Sequence, residues 1–190
     1  MKSTIMNKET DEEKNDLQII NDNNKKKLIF FNYPLFSIWS IGRPHCRTVR
    51  KGVNDYTRRV GHYCNIDWKI IPACKVKENS GVNEIICKEG EIVLQNINPN
   101  DYVIVLQEDG KQTDSKEFAQ IIQERIYEKV RNVVFVIGGA YGLSNDVLKR
   151  ANYQWSLTKL VLPHQLVRLI LIEQLFRAFT IINKENYHHA

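Results

Sequence analysis

The sequence predicts an α/β fold, a mostly parallel sheet with helices on both faces. Three observations lead there. Apolar runs of strand length alternate with stretches of helical period from Phe36 onward. Asn132–Ile137 (NVVFVI) is a continuous apolar run, as expected of a strand covered on both faces. Finally, 190 residues that are 43% hydrophobic and 26% charged suit one globular domain with a tail, not a disordered, collagenous or disulfide-stapled chain.

The elements follow in order. LFSIWSIG is a strand ending in a turn at Gly42. Over Arg47–Tyr63, Val49, Val53, Tyr56 and Val60 recur at three- and four-residue spacing, which marks one face of a helix. Asp67–Ala73 is a second strand, cut by Pro72. Asn83–Ile97 is a helix with Ile85, Ile86, Val93 and Leu94 inward. Asp101–Gln107 is a third strand, and Asp109-Gly110-Lys111 reads as a turn. Asp114 then precedes Glu117 by three residues, an N-cap with its reciprocal carboxylate, and Phe118, Ile122, Ile126 and Val130 step along the helix behind it. After the NVVFVI strand, a short helix over Asn145–Ala151 leads to an extended Trp155–Leu162. Pro163 opens a long helix to about Ile182.

That last helix carries Leu166, Val167, Leu169, Ile170, Leu171, Ile172, Leu175, Phe176, Ala178 and Phe179 in nearly every angular direction. A helix apolar all round is buried on all sides, and a second copy of the chain is the expected cover. His164, Arg168, Glu173 and Arg177 interrupt this surface, so they should pair or face a site. Glu173 and Arg177, four apart, read as an intrahelical pair. His164 reads either as a pocket-lining group or as a capping residue without proton chemistry.

Charge is unevenly placed. The chain has a formal net charge of +5. Met1–Lys27 balances Glu9, Asp11, Glu12, Glu13, Asp16 and Asp22 against lysines 2, 8, 14, 25, 26 and 27, and has few large apolar groups. It reads as a solvated arm running to Pro34, ahead of a domain over 35–190. The basic triplet at Lys25 and the apolar LIFFNYPLFSIWSIG behind it look like parts of a secretion signal. Against that stand the acidic stretch before it, the interruptions at Asn32 and Pro34, and the lack of a small-residue cleavage site. The run is also too short to span a bilayer, which takes about 20 residues. No membrane association is expected, and the cytoplasm is the expected compartment.

Arg43, Arg47, Arg50, Lys51, Arg58 and Arg59 stand against Asp55 alone. They read as phosphate contacts for a nucleic acid or as a solvated helix face. The four cysteines include no C-x-x-C pair, which suggests reduced thiols. His45-Cys46 and the nearby His62 and Cys64 match no common zinc spacing, so no metal is expected.

Gly138-Gly139-Ala140-Tyr141-Gly142-Leu143 directly follows a strand. Its G-G-x-x-G spacing is not the dinucleotide fingerprint, and about 20 residues onward stands Lys159 rather than an acid. Gly-Lys-Ser/Thr is missing, which excludes a P-loop. The glycines can admit a ligand or simply form a tight strand–helix turn. In a parallel sheet the strand ends Leu106–Gly110, Ile137–Gly142 and Leu157–Leu162 should converge, and ligands bind at such carboxyl ends. They offer main-chain amides and carbonyls for an adenine and a ribose, with Leu106, Leu160 and Leu162 as apolar walls.

The runs LQEDGK (from Leu106), VIGGAYGL (from Val136) and SLTKLVLPHQLVRLILIEQLFRAF (Ser156–Phe179), with the terminal Asn186-Tyr187-His188, closely resemble the RlmH family of SPOUT-class methyltransferases. Looser agreement is seen at Ser40-Ile41-Gly42, Gly52-x-x-x-Tyr56-x-x-Arg59 and Lys88-Glu89-Gly90-Glu91. The resemblance covers about Phe36 to His188. It implies an α/β fold with a C-terminal trefoil knot, functioning as a homodimer through the last helix. It implies an S-adenosylmethionine-dependent enzyme that methylates N3 of a pseudouridine in large-subunit (23S) ribosomal RNA, on the assembled ribosome. Carried over position by position, the cofactor-binding residues are Leu106, Gly138, Leu157, Thr158, Lys159, Leu160, Val161 and Leu162.

The uracil-like N3–H is weakly acidic, so a base, or a cation stabilising the ring anion, is useful. Arg168, Arg177, Tyr187 and His188 are the catalytic candidates, supplied across the dimer. The family usually ends Tyr-His-Lys or Tyr-His-Arg. This chain ends Tyr187-His188-His189-Ala190, which replaces a permanent cation by a titratable one. Two alternatives are a SPOUT enzyme acting on transfer RNA and a SPOUT-fold RNA- or ribosome-binding protein without catalysis.

Overall fold

The structure, a computed structural model, describes residues 33–44, 46–74 and 81–187. The compact unit begins at Pro34. All but the last two residues of the expected arm, together with His45, His188, His189 and Ala190, lie outside the described residues.

Among the described residues, five strands form one all-parallel sheet: β1 (Leu35–Ile41), β2 (Ile66–Ile71), β3 (Tyr102–Gln112), β4 (Asn132–Ile137) and β5 (Tyr153–Ser156), in the order β2-β1-β4-β3-β5. Five helices connect and follow them: α1 (Arg47–Val60), α2 (Val82–Asn96), α3 (Ser115–Tyr127), α4 (Asn145–Arg150) and α5 (His164–Ile182). The α/β class read from the sequence is the one observed.

Alternation along β1 shows how the sheet feeds both layers. Trp39 and Ile41 join Ile71, Val103, Val105, Val134 and Val136 in a cluster that Val93 of α2 and Val147 of α4 cover. Phe36 points the other way and meets Phe179 of α5 edge to face, with centroids 5.4 Å apart. Helix α5 lies between α1 and α3 on that second face. NVVFVI is buried from Val133 to Ile137 because β4 is central and covered on both sides.

The caps follow the sequence. Asp114 accepts from the Lys116 and Glu117 amides, and Glu117 returns the bond to the Asp114 N–H, a complete capping box. Helix α3 ends in a Schellman turn with Lys129 at φ +54°. There the Lys129 and Val130 amides bond back to Ile126 and Arg125, so Val130 lies beyond the helix it was expected to extend. Helix α1 likewise stops at Val60 instead of Tyr63. The Tyr63 ring then stacks on Phe179, and its amide caps Val60.

Two sequence expectations are corrected. Asp109-Gly110-Lys111 is not a turn between elements, since β3 continues to Gln112. Trp155 of β5 pairs first with Leu106 and again with Lys111, so Gln107–Gly110 bulges out of the ladder. Glycine is required at the return: a Cβ on Gly110 would lie 2.7 Å from the Trp155 carbonyl carbon. The second correction concerns the expected extended run Trp155–Leu162. Pairing ends at Ser156, and 157–163 is a loop. Trp155 fixes this short edge strand by stacking on Phe118 (centroids 4.0 Å apart) and donating to Thr113 Oγ1.

Candidate functional site

Because β5 lies at one edge and α5 starts beside β1, the loop 157–163 crosses the carboxyl ends of β3 and β4. Three segments therefore meet: the β3 bulge, the glycine loop after β4, and the crossing loop. They enclose a cavity of about 500 Å³, within the range of small-molecule sites. Its walls include Leu106, Gly138, Leu157, Thr158, Leu160, Val161 and Leu162. Of the eight residues expected to hold a cofactor, these seven line it. Lys159 does not; its side chain is exposed.

Local bonds shape each segment. Ser156 Oγ donates to the Thr158 carbonyl and the Leu160 amide donates to Thr158 Oγ1, which curls the crossing loop. In the glycine loop, Gly139 and Gly142 pair across a tight turn, with Gly142 at φ +88°. A Cβ on Gly138 would come within 2.9 Å of the Gly142 carbonyl. The glycines thus make a turn and also form a cavity wall.

His164 and Val167, on the first turn of α5, also line the cavity. His164 Nε2 lies 2.9 Å from Gln165 Nε2, and Gln165 also donates to the Arg43 carbonyl. Arg168, only 2% exposed, donates from Nε to Ser40 Oγ (2.7 Å) and from one terminal nitrogen to the Ile41 and Gly42 carbonyls (3.2 and 2.6 Å). Its other terminal nitrogen has no hydrogen-bond partner among the described residues. Burial draws its pKa below the ordinary guanidinium value. The structure thus places Arg168 as a clamp between α5 and the end of β1.

Arg177 lies nine residues further along α5, a rise of about 13 Å, and is not brought to the cavity within one chain. It pairs with Glu173 at 2.7 Å, as the spacing indicated, and its guanidinium lies 4.9 Å from the Tyr187 ring centre. Tyr187 also touches Glu173 and Tyr56 through its hydroxyl, at 3.3 Å each. Burial, the Tyr56 bond and the Glu173 charge push the Tyr187 phenol up to about 12. His188 lies outside the described residues.

A model of the family described as "Predicted SPOUT methyltransferase" matches residues 35–188. The chain belongs to the SPOUT methyltransferase family. Proteins named ribosomal RNA large subunit methyltransferase H are among its relatives. That of Christiangramia forsetii is 41% identical over 149 residues, 78% of this chain and 95% of the relative. That of Clostridium botulinum is 38% identical over 155 residues, 80% and 98% of the two. The fold is shared with a crystal structure described as a "Probable Methyltransferase" from Bordetella pertussis Tohama I. The TM-score is 0.50 at 11% identity, covering 80% of this chain and 98% of that one. Membership makes the cavity at the SPOUT carboxyl-end loops the place to look for a methyl donor.

Sequence reasoning missed Glu89. This α2 carboxylate is 3% exposed. One oxygen accepts from the Cys74 amide; the other has no partner among the described residues and lies 2.8 Å from where a Gly139 Cβ would be. The next residue, Gly90, lets α2 press against Ser144, the N-cap of α4. The Lys88-Glu89-Gly90-Glu91 run was a signal, but nothing in its periodicity separates the buried acid from its exposed neighbours.

Among the described residues no cluster of three or more His, Cys, Asp or Glu could hold a metal ion, and no helix is long and apolar enough to cross a membrane.

Proposed function

We propose that the protein is a cytoplasmic, S-adenosylmethionine-dependent methyltransferase that modifies N3 of a pseudouridine in large-subunit ribosomal RNA, acting on the assembled ribosome as a homodimer. The observation that carries this is the convergence of the β3 bulge, the glycine loop and the loop 157–163 on one cavity, in a SPOUT chain whose relatives are named for large-subunit rRNA methylation.

The residues present fit that donor. Main-chain groups of Gly138 and Leu157–Leu162 suit the hydrogen-bonding edges of an adenine and a ribose, and Leu106, Leu160 and Leu162 supply apolar walls. Lys159 is carried as a member of the binding loop, between Thr158 and Leu160, which line the cavity. Glu108 and Asp109 on the bulge place carboxylates at the cavity, where a cationic sulfonium is favoured. S-adenosylmethionine when bound supplies an electrophilic methyl group, so this chain's residues need to align the acceptor and favour loss of the ring proton.

The half-buried outer face of α5, with Leu166 exposed, is where a second copy docks. Docking there brings Arg177 and Tyr187 of one protomer toward the cavity of its partner, beside that partner's own His164. With its pKa near 12, the Tyr187 phenol stays protonated at neutral pH. It serves as a hydrogen-bond donor, with Arg177 as the cation stabilising the ring anion and His188 as the titratable group. Arg168 supports them by holding the start of α5. The trefoil knot of the class accounts for the crossing of 157–163 over the ends of β3 and β4.

Two measurements test the proposal. Calorimetry should register S-adenosylmethionine binding, and transfer of a labelled methyl group should occur on ribosomes with little on free rRNA. Donor binding without methylation of either RNA would leave a non-catalytic binder. Strong activity on unassembled RNA, or on transfer RNA, would overturn the substrate.

A further inference from the structure

The basic stretch from Arg43 to Arg59 divides into two groups. Arg58 and Arg59 share the carboxylate of Asp55, at 2.8 and 2.9 Å, and the Arg59 guanidinium also lies over the Tyr56 and Phe176 rings. Arg43, Arg47, Arg50 and Lys51 are exposed and make no ion pair or side-chain hydrogen bond with any described residue. Arg50 and Lys51 lie three and four residues after Arg47, so both neighbour it on the helix surface at the start of α1.

Folding alone does not favour this arrangement. The first turn of α1 has no acidic residue, and its N-cap Cys46 makes no side-chain capping bond. Cations at a helix N-terminus oppose the macrodipole. An anion that binds there relieves the mutual repulsion of the four side chains and meets the amide ends of the helix together.

The place is also set by the fold. Arg43 follows Gly42, whose carbonyl Arg168 holds, and its own carbonyl accepts from Gln165. Gly42 lies against His164, which lines the cavity. The basic stretch therefore begins at a segment tied to the first turn of α5, whose His164 lines the cavity.

We propose that the RNA backbone lands on the N-terminal end of α1, with Arg43, Arg47, Arg50 and Lys51 as its phosphate contacts, while Arg58 and Arg59 take no part. This rests on the methyltransferase reading for the identity of the polyanion and on the charge geometry for its location. The contacts are independent of sequence. They hold a strand across the cavity mouth, and the loops around the donor select the nucleotide.

The test uses the full chain, a fluorescently labelled single-stranded RNA and anisotropy titrations between ~50 and ~200 mM KCl. Replacing Arg47, Arg50 and Lys51 together by alanine should flatten the slope of log affinity against log salt by about 2, roughly 20-fold less change in affinity over that range. R47A alone should flatten it by about 0.7, a second reading should the triple variant fold poorly. R58A should leave the slope as it is. A wild-type slope in the triple and R47A variants, or an equal loss in R58A, overturns the proposal. Calorimetry with S-adenosylmethionine in parallel keeps the two readings apart. A wild-type protein that binds no donor sinks the enzyme assignment and leaves the salt slopes interpretable.

Discussion

Replacing Gly138 by alanine tests whether the glycine loop cradles the donor. The added methyl would lie 2.9 Å from both the carbonyl carbon and oxygen of Gly142 and 3.2 Å from Leu143 Cγ, where ordinary contact begins at 3.4 Å. The obstruction is backbone, which cannot rotate away, so the turn has to open by at least 0.5 Å. Its closing bond, from the Gly142 amide to the Gly139 carbonyl, is already 3.3 Å long and would go first. Overpacking of this kind costs about 1–3 kcal/mol. Here it falls on a cavity wall, and the sheet beneath can stay as it is. The expected outcome is a loss of S-adenosylmethionine affinity of about 10- to 100-fold by calorimetry, at 1.4 kcal/mol per tenfold. Gly81, with φ −67° and nothing within 4 Å of a Cβ, is the control, and G81A should change stability by less than about 0.5 kcal/mol. A G138A protein that melts like wild type and binds the donor within about twofold of it would refute the reasoning.

Three further outcomes follow from the packing. R168M removes a buried guanidinium with three hydrogen bonds to β1 and its turn and should cost about 1–3 kcal/mol for each acceptor left unpaired, read by denaturant unfolding; a loss below about 1 kcal/mol would show that α5 needs no clamp. G110A forces β3 away from the Trp155 carbonyl and should destabilise by about 1–3 kcal/mol with quenched or shifted tryptophan emission, whereas unchanged emission and stability would place β5 elsewhere. Tyr63 and Tyr187 are both raised to about 12, chiefly by burial and then by hydrogen bonds with Glu185 and Tyr56. A phenol raised in the folded state adds stability that is complete below its unfolded pKa near 10 and lost as pH climbs toward 12. Tyrosinate absorbance should show a late-ionising component that shrinks in Y63F and Y187F; identical titration curves would dispose of this assignment.

Much of the architecture was legible because local chemistry and tertiary context agree in this chain. NVVFVI is apolar throughout because its place in the sheet leaves no solvent face, and Asp114 with Glu117 caps a helix by bonds confined to four residues. The three segments that line the cavity were expected to converge because they follow the carboxyl ends of parallel strands, and the family resemblance runs through the same stretches. What failed was long-range. Asp109-Gly110-Lys111 has turn chemistry, yet β5 pairs on both sides of the bulge and keeps it within a strand. Nothing near Glu89 tells that it is sealed beneath Gly139 by a loop 50 residues away.

The sequence by itself determined the alternation of strands and helices, the capping box at Asp114, the all-round apolar character of α5 and the total basic charge, since each depends on residue type and near spacing. Tertiary structure alone decided where the basic stretch stands: Asp55 pairs with Arg58 and Arg59 three and four residues on, as helical spacing allows, whereas the path of β1 brings Arg43 to the first turn of α5, where Gln165 donates to its carbonyl. It also decided that Arg168 is turned inward, because a guanidinium acquires a role from the carbonyls it meets, and those of Ile41 and Gly42 come from the opposite end of the chain.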